Sequence, residues 1–205
     1  MTRGRATNAD PQTLAALARV SVAVVLGRWD DLERLRAEAR APGRAWREAV
    51  LQVSLFAGFP RTVEAFRILA RAGGLGRPDA DEVEPAADAD PDGAAIFDTI
   101  YDKLAGEVRA ELERYHPALA RWIADHAYAR VLTRPGLSLR DRELLSVACL
   151  AALDQPRQLA SHARGARRAG ASAADVEAVL DSVAEALGPE RARRAREVCA
   201  EYALD

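Results

Sequence analysis

The sequence predicts an all-α fold, a helical bundle built on an internal repeat. Alanine, leucine, arginine and glutamate dominate the 205 residues, while aromatic residues make up only 5%, a balance typical of helices rather than sheets. No segment alternates apolar and polar residues for long, which argues against strands. Two S-x-x-D patterns, at Ser138–Asp141 and Ser172–Asp175, stand directly before apolar runs and indicate helix starts.

Apolar spacing and capping signals place the individual helices. Asp154 followed by Pro156 predicts a helix start, and Gly170 predicts the end of the helix before it. In the first half we expect helices at about 11–26, 30–41, 44–57 and 60–72. In the second half we expect them at about 94–115, 117–132, 139–153, 156–169, 173–187 and 190–202.

An acidic, proline-containing segment divides the chain. Residues 74–93 hold almost no large apolar residue and therefore predict a linker between an N-terminal part, 1–73, and a C-terminal part, 94–205. The two parts share short matches in the same order: "SVAVVL" with "SVACLA", and "EAVL" twice. Extending these matches pairs Leu35 with His162. We therefore predict two copies related by a pseudo-two-fold, the first being degenerate.

Charge and composition exclude several classes of function. The net charge is −2 with both signs interspersed, so we expect no nucleic-acid partner. The most apolar stretch, 14–27, contains Arg19 and is shorter than the roughly 20 residues of a membrane span, so we expect a cytoplasmic protein without a membrane partner. Cys149 and Cys199 have neither metal nor redox spacing, and we expect no metal and no cofactor.

A carboxylate and an imidazole on two successive predicted helices form the candidate site. The turn near 154–156 should make these helices antiparallel, and at about 1.5 Å per residue Glu143 and His162 then differ in height by only about 4–5 Å. Gln155, Gln158 and His162 fall on one helix face. The four residues can converge as an acid–base pair with two amide donors.

These residues carry a resemblance to the carboxymuconolactone decarboxylase family, which includes the AhpD-like alkylhydroperoxidases. The AhpD-like hallmark is a glutamate, a CxxC beginning twelve residues later, and a histidine four residues past the second cysteine. Glu143 and His162 occupy those places, while Gln155 and Gln158 replace both cysteines. "RPGLSLRDREL" is also similar to the family, and "LFAGFPRTVEAF" resembles its closing helix. The likeness covers about 94–190 well and 14–70 more loosely, and it implies an AhpD-like bundle.

The missing cysteines decide which branch the resemblance favours. Peroxidase chemistry needs a thiolate near a helix N-terminus, and a glutamine amide is not redox-active, so peroxidase activity is disfavoured. The decarboxylase branch implies acid–base chemistry on a small carboxylated lactone or related organic acid, without a metal. In that branch His162 would donate or accept the proton and Glu143 would orient it. Arg134 or Arg164 would hold a substrate carboxylate, and the two glutamines would hydrogen-bond a lactone oxygen.

Each candidate also has a purely structural interpretation. Glu143 stands where the helix dipole favours an acid, and Arg134 could cap helix carbonyls. His126 could line the pocket with Tyr128 or occupy a core or interface position. The alternative to an enzyme is therefore a catalytically silent helical scaffold for ligand binding or assembly. The resemblance further implies a homo-oligomer, a dimer or a trimer.

Overall fold

A computed structural model describes residues 7–38, 41–83 and 92–202, and all regular secondary structure within them is helical. This confirms the all-α prediction. The N-terminal part contains α1 (Pro11–Leu26), α2 (Trp29–Glu38) and α3 (Gly43–Arg71). The C-terminal part contains α4 (Asp92–Tyr101), α5 (Ala105–Tyr115), α6 (Pro117–Trp122), a π-helix (Ile123–Leu132), α7 (Leu139–Leu153), α8 (Pro156–Arg168), α9 (Ala173–Leu187) and α10 (Pro189–Tyr202).

Local capping chemistry explains where several helices begin. The Asp10 carboxylate accepts hydrogen bonds from the backbone N–H groups of Gln12 and Thr13 at the start of α1. The Ser138 hydroxyl accepts from the Asp141 N–H at the start of α7, and Ser172 forms a reciprocal capping box with Asp175 before α9. These bonds satisfy donors that the first helical turn leaves unpaired, as the sequence patterns predict.

The continuous helix predicted over 94–115 is broken in the structure. Asp102 adopts a positive φ of 50°, and a short 3₁₀ segment, Asp102–Leu104, separates α4 from α5. No glycine or proline marks this break in the sequence. The guanidinium of Arg168 on α8 donates to the Ile100 carbonyl at 2.6 Å and lies 3.7 Å from the Asp102 carboxylate. The Arg168 guanidinium thus gives the Ile100 carbonyl a hydrogen-bond partner that the interrupted helix does not provide.

Two pairs of backbone conformations recur at corresponding places in the proposed copies. α1 ends at Gly27 with φ 69° and α7 ends at Asp154 with φ 56°, both left-handed. Inside α3, Gly58 has φ 72° and ψ 169°, which kinks the element between the two helices predicted there. Gly188, between α9 and α10, has φ 77° and ψ 161°. The pseudo-two-fold repeat predicts this parallel, and the repeat itself stays a prediction.

Both parts of the chain contribute to one main core. α1 lies against α3, α7 and α9, and Leu17, Val20 and Val24 are fully buried there. A second, smaller apolar cluster joins α4 to the π-helix, and consists of Phe97, Ile100, Ala105, Tyr128 and Leu132. Among the described residues, no helix combines the length and the apolar character of a membrane span.

The predicted linker is partly ordered against α3. Leu75 and Glu82 are buried, and the Glu82 carboxylate accepts two hydrogen bonds from the Arg47 guanidinium, at 2.8 and 2.5 Å. The Arg47 hydrogen bond holds the pKa of Glu82 at about 2 despite burial. Residues 84–91 lie outside the described ranges. The boundaries predicted for the two parts stay a prediction.

A buried cluster of charged side chains connects α3 with α7. Glu48 accepts hydrogen bonds from Arg134 at 2.8 and 2.9 Å and from Arg142 at 2.9 Å. Gln52 donates to the Arg142 carbonyl at 2.7 Å and accepts from its guanidinium at 3.1 Å. Both Glu48 and Arg142 are fully buried, and buried charges need partners of opposite charge because desolvation is costly.

Candidate functional site

Glu143 on α7 and His162 on α8 form a buried pair. Asp154, in the left-handed backbone conformation, ends α7, and α8 starts two residues later at Pro156. The two helices therefore form a helical hairpin. The His162 Nδ1 atom lies 2.8 Å from the Glu143 Oε2 atom. Glu143 is fully buried, whereas 13% of the His162 side chain is exposed. The geometry expected for these two side chains is therefore present in the structure.

Gly165 makes the close approach of α7, α8 and α4 possible. A Cβ atom at this position would lie 2.5 Å from Glu143 Oε2 and 3.0 Å from the Ile100 Cγ2 atom on α4. Gly165 and Ile100 are both buried, so the Ile100 side chain has little room to move. The missing side chain is thus what lets the carboxylate sit between α4 and the imidazole.

One oxygen of the Glu143 carboxylate remains without a partner. Oε2 is bonded to His162, but Oε1 is buried and has no hydrogen-bond partner among the described residues. Buried carboxylate oxygens are almost always satisfied, because leaving one unpaired costs free energy. Oε1 is therefore an acceptor available to a hydrogen-bond donor that reaches the pair.

The environment of His162 favours its protonated form. Burial opposes protonation, but the Glu143 charge and the hydrogen bond from Nδ1 outweigh burial and raise the pKa of His162 above its ordinary value. Because Glu143 engages Nδ1, Nε2 is the ring nitrogen that can exchange a proton with a reacting molecule. A histidine held in this way can serve as a general acid or a general base near neutral pH.

Two tyrosines lie beside the pair. Tyr101 on α4 and Tyr128 on the π-helix place their hydroxyls 3.4 Å apart, and Tyr128 is buried. Burial raises the pKa of both phenols, and the nearby charge of Glu143 raises each pKa further. Sequence reasoning connected Tyr128 only with His126 and did not identify Tyr101. The missed signal was the i, i+4 spacing of Phe97 and Tyr101 on α4, which predicts a shared face.

The other predicted ligand-binding residues lie apart from the pair. Gln155 and Gln158 are both exposed, and the Gln155 amide donates to the Leu153 carbonyl at 3.2 Å. Arg134 belongs to the Glu48 cluster and also donates to the Glu82 carbonyl. His126 is exposed, with its ring centroid 6.1 Å from that of Phe59. Of the six predicted site residues, the structure brings Glu143 and His162 into contact; the roles assigned to all six stay predictions.

The two cysteines are free and buried. Burial raises the pKa of the Cys149 thiol far above its ordinary value and, with the charge of Glu177, raises the pKa of Cys199 to about 12. A raised pKa leaves little of the thiolate, which is the form that acts as a nucleophile or a metal ligand. In the described ranges, no group of three or more His, Cys, Asp or Glu side chains is placed to hold a metal ion.

Comparisons with known proteins bear on this part of the chain. Residues 117–201 match the model of the carboxymuconolactone decarboxylase family. The chain is also similar to Peroxisomal protein 2 of Schizosaccharomyces pombe, with 33% identity over 131 residues, which cover 62% of this chain and 61% of that protein. The chain thus spans about three fifths of the length of this relative. Glu143, His162 and Tyr128 lie inside the family match, and Tyr101 lies outside it.

Proposed function

We propose that the chain performs cofactor-independent acid–base chemistry on a small carboxylated lactone or a related organic acid, as the match of residues 117–201 to the model of the carboxymuconolactone decarboxylase family suggests. The observation that supports this most directly is the 2.8 Å contact between Glu143 and His162. The unpartnered Oε1 atom of Glu143 supports it further. A carboxylate–imidazole pair buried in this way can transfer protons but supplies no redox chemistry.

In the proposed reaction His162 is the proton carrier. The C–C bond to the carboxylate breaks, carbon dioxide leaves with its oxygens, and the electron pair remaining on carbon takes the proton from His162 Nε2. Glu143 holds the imidazole in the orientation and tautomer that this transfer requires. Its Oε1 atom accepts a hydrogen bond from a donor on the substrate.

Arg164 and Arg134 are the two candidates for holding the carboxylate of the organic acid. Arg164 stands two residues after His162 on α8, and its charge acts on Tyr101 beside the pair. Arg134 makes a bidentate contact with Glu48 and would have to leave a buried cluster. A guanidinium is well matched to a carboxylate because it can donate two parallel hydrogen bonds.

A catalytically silent scaffold is the second candidate. The exposure of Gln155 and Gln158 favours it, because the helix start that carries a CxxC in the AhpD-like branch then offers no group to the pair. Such a protein would keep the bundle for assembly or for binding a ligand. Assembly as a dimer or trimer and the cytoplasmic location are part of the proposal; the S. pombe relative carries a peroxisomal name.

A ligand screen followed by a deuterium experiment tests the proposal. Lactones, muconate-like diacids and keto acids are screened by thermal shift, since a ligand that binds the native state raises the melting temperature. We expect a shift for the wild type that His162→Gln abolishes and that the control His116→Asn, at an exposed helix cap, retains. In D₂O the wild type should place deuterium on the carbon that lost the carboxylate.

The outcomes separate the two candidates. Binding that His162→Gln leaves intact, with no turnover of any acid in the screen, would establish the silent scaffold instead. Reduction of an organic peroxide by the purified protein with a dithiol donor would contradict the exclusion of redox chemistry.

A further inference from the structure

A cavity lies beside the smaller apolar cluster, which contributes Phe97 and Tyr128 to its lining. Its volume is about 510 Å³, within the range of small-molecule sites and far larger than the space one water molecule needs. α4, α5, α6 and the π-helix surround it. Its apolar lining includes Ala94, Phe97, Leu112, Pro117, Ile123 and Tyr128.

The inner wall of the cavity is aromatic. The Phe97 and Tyr128 rings meet edge to face with centroids 4.8 Å apart, and each residue is only 5% exposed. Tyr101 packs on the other face of this arrangement, with its ring 4.5 Å from that of Phe97. Such a wall favours an apolar body, because burying apolar surface against it is favourable without any hydrogen bond.

The rim of the cavity carries charges of both signs. Two arginines, Arg109 and Arg121, and two acids, Glu113 and Asp125, line it. Arg109 also lies over the Phe97 ring at 4.5 Å and donates to the Asp98 carboxylate at 2.6 Å. A ligand with a net charge of either sign would gain little from this rim and would still lose its hydration.

From these observations we infer that the cavity is a binding site for an uncharged small molecule with an apolar ring or branched hydrocarbon body. The body would lie against Phe97 and Tyr128, and a polar end would face the rim with its charges of both signs. The proposed function assigns no ligand to this cavity, which shares none of its lining residues with the Glu143–His162 pair. The inference therefore does not depend on that pair being catalytic.

Three probes with the same ring test the ligand class: benzyl alcohol, benzoate and benzylamine. Binding of each to the full chain is measured by isothermal titration calorimetry. We expect benzyl alcohol to bind, and the two charged probes to bind at least about tenfold more weakly, since removing a charge from water is costly. No binding of benzyl alcohol, or tighter binding of either charged probe, would overturn the inference.

Two neighbouring alanines on α4 provide a matched pair of variants. Ala94 and Ala95 are both exposed, but only Ala94 lines the cavity. We expect Ala94→Phe to fill the cavity and weaken benzyl alcohol binding at least about tenfold, and Ala95→Phe to leave it unchanged. Equal effects of the two substitutions would contradict the assigned position. Ala124→Phe, at an exposed lining position of the π-helix, repeats the test if Ala94→Phe does not fold.

Discussion

A methyl group at Gly165 would test the packing on which the candidate site depends. In Gly165→Ala the new Cβ would lie 2.5 Å from Glu143 Oε2 and 3.0–3.1 Å from the Ile100 side chain. The carboxylate end is flexible enough to move, but moving it breaks the 2.8 Å contact with His162. Ile100 is fully buried and cannot withdraw without disturbing α4.

The expected magnitude follows from two opposing effects. Overpacking of a buried site costs about 1–3 kcal/mol, and the charge-assisted hydrogen bond that Glu143 would lose is worth about 1.5–3 kcal/mol. These costs are alternatives, because moving the carboxylate is how the clash is relieved. Alanine in place of glycine within a helix returns about 1 kcal/mol. We therefore expect the free energy of unfolding of Gly165→Ala to fall by about 0.5–2 kcal/mol.

Urea unfolding, with NMR titration of His162, measures both consequences. Gly106 on α5 is the matched control, since a Cβ there meets nothing within 4 Å; Gly106→Ala should be neutral or stabilise by up to about 1 kcal/mol. In Gly165→Ala the pKa of His162 should also fall toward its ordinary value, because the Glu143 charge that raises it has moved away. A Gly165→Ala protein as stable as Gly106→Ala, with an unchanged His162 titration, would refute the reasoning.

Three further predictions concern buried charge and thiol groups. Folding raises the pKa of His162. The stabilising contribution of His162 is therefore complete below the unfolded pKa of about 6.5 and is lost as pH rises through the folded pKa. In urea unfolding, the excess stability of the wild type over His162→Gln should be larger at about pH 5.5 than at about pH 9. Glu48→Gln leaves the fully buried Arg142 without its counter-charge and should cost about 3–5 kcal/mol in the same assay, so an unchanged unfolding midpoint would contradict the role of this cluster. Cys149 and Cys199, with raised thiol pKa values, should react slowly with a disulfide reagent in the native protein and rapidly in denaturant; fast labelling of the native chain would show that at least one thiol is accessible.

The predicted internal repeat pairs an apolar position of the first part with a polar position of the second. Position 35 of the first part is a leucine where the second part has His162, and Leu35 is buried in the main core. At this position the first part thus contributes apolar surface, and the polar pair lies in the second part.

Local sequence information was sufficient for most of the helices and for the Glu143–His162 hairpin. Capping residues such as Ser138 and Ser172 act on the N–H groups a few residues away, and the separation of Glu143 from His162 across one tight turn sets their heights through the helical rise alone. These are short-range effects, and a linear sequence contains them completely.

The tertiary structure alone decided which other groups surround that pair. Arg168 of a distant helix contacts the backbone and a side chain at the Asp102 break, and the contact of Tyr101 with Tyr128 depends on how α4 packs on the π-helix. Arg134 was a plausible substrate ligand by its motif, yet a carboxylate 86 residues earlier in the chain, Glu48, engages it. Side chains far apart in sequence compete for the same partners, and which of them meet is settled by packing, because desolvated charges and polar groups must be paired wherever the fold places them.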